Sequence, residues 1–253
     1  METARYLACL QHDAARLRLV AEGHLDLKVP SCPEWTVGDL LRHVAQVYQH
    51  KTQCIRLQAF PRPWPPDFSG EEPIALLDRS LSELLAEFDK HQPGDAAPTW
   101  FDPDQSVGFW IRRMAQETVI HRVDGELAVD EFTAIPVDLA IDGVDEVLGI
   151  FLGWGSIDTI QREGRESWPL LADTDGAVIV VRADDEHAWS VRPTPDGVQV
   201  SAGATPEPAA ALSGDPVDLL LWLWRRADID RLTAEGDRDQ LDRLHELMRV
   251  ATQ

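Results

Sequence analysis

Residues 110–124 run without a glycine or proline, and this unbroken stretch constrains the chain more than any other feature. It reads as helix. Glu117 and His121 sit four apart within it, so they share one face, one turn above the other. Trp110, Met114 and Ala128 fall on the same face, which directs it toward a core. A carboxylate in a core is costly unless something pairs with it. One divalent cation would compensate both side chains at once; a buried Glu–His hydrogen bond is the competing reading.

The rest of the first half also has helical spacing. Tyr6, Leu7, Leu10, Ala14 and Leu17 predict a first helix over residues 3–22. Val29-Pro30-Ser31-Cys32-Pro33-Glu34-Trp35 reads as a loop punctuated by two prolines. Thr36-Val37-Gly38-Asp39 has the form of a capping box and opens a second helix to about Leu57. Phe60-Pro61-Arg62-Pro63-Trp64-Pro65-Pro66-Asp67-Phe68 cannot be helix, because proline removes donors and restricts the residue before it. A third helix is expected over residues 73–90, a loop over 92–106, a fourth helix over 107–129 and a further one over 136–151. Four antiparallel helices with moderate connections predict a bundle.

The second half changes period. Residues 168–172, 177–183, 188–192 and 198–202 read as short strands, with Asp175-Gly176 and Asp196-Gly197 as hairpin turns. Residues 209–212 add an edge strand. Asp215-Pro216 caps and opens a helix to about Ala227, and a last helix covers residues 237–250. The pattern changes near residues 155–166. The expected class is therefore α+β, with a helical bundle over residues 1–160 and a small α/β domain over 161–253.

Composition excludes some partners. The 253 residues include 44 acidic and 23 basic side chains, a net charge of −21. Such a surface repels phosphate backbones and anionic membranes, so neither nucleic acid nor membrane is an expected partner. Cys9, Cys32 and Cys54 are odd in number and lack a C-x-x-C spacing, which favours a reduced, cytoplasmic setting. Cys32 has no basic neighbour to activate it and reads as structural. The start lacks the basic and apolar regions of a signal peptide. The most apolar run, Leu219-Leu220-Leu221-Trp222-Leu223-Trp224, is stopped by Arg225-Arg226, far short of a bilayer span.

A bundle metal site draws its ligands from neighbouring helices. His43 borders the apolar stripe of the second helix, beside Leu40 and Val47, and is the best third ligand; His50, two turns later on that flank, is a weaker one. His12, His24, His91, His187 and His245 read as surface or packing histidines. Two imidazoles and a carboxylate suit Zn²⁺, Ni²⁺, Fe²⁺ or Co²⁺ and leave a coordination position for water or substrate. Asp124 shares the Glu117 face, where it either orients a ligand from behind or pairs with an arginine such as Arg113.

Three stretches resemble the actinobacterial mycothiol-dependent maleylpyruvate isomerase-like proteins, whose bundle belongs to the DinB-like superfamily. Val29 to Val44 is similar to that family's loop and second-helix motif. Met114 to Asp124 is similar to its second metal motif. Leu212 to Asp215, with Leu220 to Arg226, is similar to the signature of its C-terminal domain. The resemblance implies zinc ligation by His43, Glu117 and His121, and a C-terminal α/β domain like the sterol-carrier-protein fold. It implies mycothiol as a cosubstrate, a small electrophile as substrate, and isomerisation or S-transfer as the reaction. It aligns Arg226 with an arginine suited to a substrate carboxylate; a surface arginine favouring the helix dipole is the alternative. Family members often carry His where this chain has Gln116 and Gly where it has Arg225; neither is a proposed ligand, and both bear on substrate identity. Two other functions fit the same motifs: a non-catalytic binder of metal and small ligand, and a hydrolase using metal-activated water.

Overall fold

The computed structural model describes residues 1–252, and they divide into two compact units, Met1–Ala134 and one that begins at Ile135. The class is mixed, with helices first and a small sheet after them.

The first unit is built on four helices: α1 (Thr3–Ala21), α2 (Val37–Leu57), α3 (Pro73–Phe88) and α4 (Val107–Leu127). The capping box opens α2 as the sequence predicts. Thr36 Oγ1 accepts from the Asp39 backbone N–H at 3.2 Å, and Asp39 Oδ2 accepts from the Thr36 N–H at 2.9 Å. Ser106 caps α4 by accepting from the Phe109 N–H at 3.1 Å. α1 packs on α4, and α2 packs on both α3 and α4. Gly125 lets α1 and α4 approach closely, since a Cβ there would stand 2.8 Å from Leu17 Cδ1. α4 is buried on nearly every side, and its polar residues Arg113, Thr118, Arg122, Asp124 and Glu126 are buried with it. Arg122 shows how that is tolerated: it donates to Asp13 at 3.2 Å, to Glu126 at 2.6 Å and to the Thr133 carbonyl at 2.6 Å.

The segment before α2 is more than a loop. β1 (Lys28–Val29) and β2 (Cys32–Thr36) pair antiparallel, with Val29 opposite Cys32. β1 is only two residues long and the five residues of β2 show no alternation of burial, which is why periodicity misses both.

In the second unit α5 (Val137–Glu146) passes through a π-helical segment (Val147–Trp154) into α6 (Gly155–Glu163). A five-stranded sheet follows: β3 (Ile179–Arg182), β4 (Ala188–Thr194), β5 (Gly197–Ala202), β6 (Ala210–Ser213) and β7 (Thr233–Gly236). Its order is β5-β4-β3-β6-β7, with β3 and β6 parallel and the other neighbours antiparallel. α7 (Pro216–Leu223) starts on Asp215, whose side chain accepts from the Val217 N–H at 2.8 Å, and α8 (Arg238–Ala251) ends the described chain.

Four expectations need correcting. The units part at residues 134 and 135, not at 160 and 161, because α5 packs on α7 and the π segment and α6 pack on β5. Residues 168–172 are not a strand: Pro169 opens a 3₁₀ turn there (Pro169–Leu171), so Asp175-Gly176 joins no hairpin. α7 stops at Leu223, and Arg225 two residues later has a φ of 62° that no helix continues through. The strand expected at residues 209–212 is not an edge: β6 lies between β3 and β7, and β7 escaped notice because every residue in it is exposed and shows no alternation of burial. Among the described residues, no helix is long and apolar enough to cross a membrane.

Candidate metal centre

The α2–α4 pairing that places the centre is pinned by two hydroxyls, with Tyr48 and Thr118 2.6 Å apart in the core. Beside that contact α2 presents His43 and α4 presents Glu117 and His121. One donor atom from each lies within 4.8 Å of the others. Glu117 Oε1 stands 3.3 Å from Nε2 of His43 and 3.3 Å from Nε2 of His121. Nitrogen and oxygen ligands about 2.0–2.1 Å from a tetrahedral ion are separated by roughly 3.3 Å, so the two spacings from Glu117 Oε1 are compatible with a shared cation. The side chains of Glu117 and His121 are 17% and 12% exposed and that of His43 is 35% exposed, so the cluster opens on the His43 side.

Neighbours constrain each of the three side chains. Asp124, fully buried, accepts from His121 Nδ1 at 2.9 Å and so leaves Nε2 to face Glu117. Ser31 Oγ donates to the other Asp124 oxygen, tying the turn between β1 and β2 to the centre. Arg113 Nη2 donates to Glu117 Oε2 at 3.0 Å, leaving Oε1 to the imidazoles. Trp35, on β2, lies with its ring 4.8 Å from that of His43 and 6.4 Å from that of His121.

The electrostatics follow from this crowding. Burial pushes the Glu117 carboxyl up, but the charge and hydrogen bond of His121, the His43 hydrogen bond and the Arg113 charge outweigh it and hold it well below its ordinary value. Burial disfavours a charged His121, yet Glu117 and Asp124 raise it to about 9. A carboxyl held this low stays ionised, and an imidazole raised this far could take a cation only in competition with a proton.

Residues 7–125 match the description "Mycothiol maleylpyruvate isomerase N-terminal domain", and residues 138–243 match "MDMPI C-terminal domain". The chain belongs to the mycothiol-dependent maleylpyruvate isomerase-like family. No curated protein matches it in sequence. Two crystal structures of the mycothiol-dependent maleylpyruvate isomerase share the fold, one of them a mutant. The mutant has a TM-score of 0.61 and the other 0.59; each is 12% identical, with 94% of this chain and 95% of that chain covered.

In this member of the isomerase-like family, His43, Glu117 and His121 come together. His50 does not join them. Its ring packs against Trp64 at 5.1 Å and Phe60 at 6.1 Å, and burial with the Lys51 charge pushes it down to about 4. Arg226 belongs to the second unit, where its guanidinium donates to the Trp224 carbonyl at 2.5 Å and lies 5.9 Å from the Trp224 ring centroid. Sequence reasoning missed Trp35 and Ser31 as neighbours of the centre and weighed Arg113 only against Asp124. The position of Arg113, four before Glu117, was the available signal for their pairing.

Proposed function

We propose that this protein is a metal-dependent isomerase or S-transferase that uses mycothiol, or a similar low-molecular-weight thiol, on a small electrophile. The observation that carries this reading is one carboxylate oxygen, Glu117 Oε1, set 3.3 Å from imidazole nitrogens of two helices. The names of the matched family and of the structural neighbours support the thiol and the reaction class.

His43, Glu117 and His121 would hold one divalent cation, Zn²⁺ or Ni²⁺, with a position left open. When bound, the cation supplies a Lewis acid that keeps the thiol as thiolate, its nucleophilic form. The chain's own residues do the rest. Asp124 sets the tautomer of His121, Arg113 stops the Glu117 carboxylate from swinging, and Trp35 walls the imidazoles. The thiolate lone pair forms a C–S bond at one end of a conjugated cis double bond, and the π electrons move to the carbonyl oxygen as an enolate. The bond that was double rotates. The enolate electrons then restore the double bond as the C–S bond breaks, so the thiol is regenerated and nothing is oxidised. In S-transfer the C–S bond stays and a proton quenches the enolate. The family resemblance alone assigns Arg226 to a substrate carboxylate, held by its planar fork.

The test is turnover of a panel of conjugated cis electrophiles by the metal-loaded protein, with and without mycothiol. Conversion that strictly requires the thiol is expected. Conversion without thiol would make the protein a hydrolase, and binding without conversion a carrier; either result overturns the proposal.

A further inference from the structure

The seam where α2 packs on α4 carries more than the three metal-ligand candidates. Along α4 from Glu117 toward its N-terminus come Arg113 and then Trp110, one and two turns away. On α2, beyond His43, come His50 and Lys51. The Lys51 ammonium lies 4.9 Å from the Trp110 ring centroid and donates to His50 Nδ1 at 3.2 Å. Helical side chains lean toward their helix N-terminus, so the Lys51 stem leans back toward the His43 end of α2.

Lys51 is partly buried, yet among the described residues no carboxylate lies within ion-pair distance of it. Burial is the largest influence on its basicity and lowers it; the Glu117 charge works the other way, and the Arg113 charge adds to the lowering. Glu117 is already engaged by His43, His121 and Arg113, and Asp124 by His121 and Ser31. With one divalent cation in place, positive charge along this seam would exceed negative charge. A local surplus of cations in a chain of net charge −21 marks where an anion is received. A half-buried ammonium hydrogen-bonded only to a neutral imidazole is poorly compensated until one arrives.

We propose that Lys51 recognises a carboxylate on the electrophile that reaches the metal centre, and so sets which substrates the site accepts. This rests on the function proposed above for the three metal-ligand candidates. It is independent of Arg226, because every observation behind it lies within the helical unit. The competing structural role for Lys51 is a cation–π prop under Trp110.

Calorimetry separates the two roles, with succinate as a plain dicarboxylate probe and succinamide as its uncharged twin. Zn²⁺-loaded wild type is expected to bind succinate. Lys51→Met should weaken that binding at least tenfold, Lys51→Arg should restore most of it, and succinamide should not distinguish the three proteins. Metal analysis of the same preparations reads the ligand trio separately. If wild type takes up no metal, the proposed function fails on that readout, while comparing succinate binding by metal-free wild type and Lys51→Met still tests Lys51. Equal succinate binding by wild type and Lys51→Met, no succinate binding by wild type, or loss of metal in Lys51→Met would each overturn the proposal.

Discussion

Asp124 holds Nδ1 of His121 at 2.9 Å from the fully buried end of the cluster, and this one contact decides which imidazole nitrogen faces Glu117. A metal-binding imidazole is tuned by the group behind it. Asp124→Asn keeps the size and removes the charge. Its metal affinity is expected to fall about 10–100-fold, read by competition with a chromophoric chelator. Unchanged affinity would remove Asp124 from the centre.

Tyr48 and Thr118 join the two helices that carry His43, Glu117 and His121. Thr118 gives its one hydroxyl proton to the Met114 carbonyl at 2.6 Å, so Tyr48 donates to Thr118. Tyr48→Phe deletes that donor and leaves the Thr118 proton satisfied. The expected loss in urea unfolding is about 0.5–1.5 kcal/mol, with metal content unchanged. A much larger loss, or loss of metal, would show that the pair does more than join two helices.

His50 makes stability depend on pH. Its folded value is about 4 against an ordinary 6.5, because burial and the Lys51 charge both disfavour the imidazolium. Between those values the unfolded chain binds a proton that the folded chain refuses. This contribution is therefore fully present above pH 6.5 and is lost as pH falls toward 4, an effect of up to about 2–3 kcal/mol. His50→Gln should flatten that part of the stability profile. An identical profile in the variant would assign the acid sensitivity to other groups.

If Arg226 binds a substrate carboxylate, Arg226→Met should cut kcat/KM for a carboxylated electrophile by about 10²-fold or more while one metal ion per chain remains. Arg226→Lys should recover only part, since it lacks the planar fork. Wild-type kinetics in both variants would leave Arg226 to its contacts with Trp224.

What could be read in advance follows a physical divide. Local chemistry was legible: the Thr36–Asp39 capping box, the Asp215 cap before Pro216, and the four-residue spacing of Glu117 and His121 all act within a turn or two of chain. His43 was legible because it flanks an apolar stripe. Relationships set by packing were not. α4 is buried on nearly all sides and shows no single apolar face to say which polar residues point where, so the Arg113 partner stayed open. The continuation of α5 through a π segment into α6 hid the division between the units, because a helix that changes its hydrogen-bond pattern shows no break in the sequence. Trp35 and Lys51 reach their places only once β2 and α2 fold against α4.

The central claim is that three side chains on two helices share one cation, and metal analysis of the purified protein after exposure to Zn²⁺ tests it most directly. About one ion per chain is expected, lost in His43→Ala and in His121→Ala while the helical circular dichroism persists. A folded wild type that takes up no ion, or variants that keep a full complement, would contradict it.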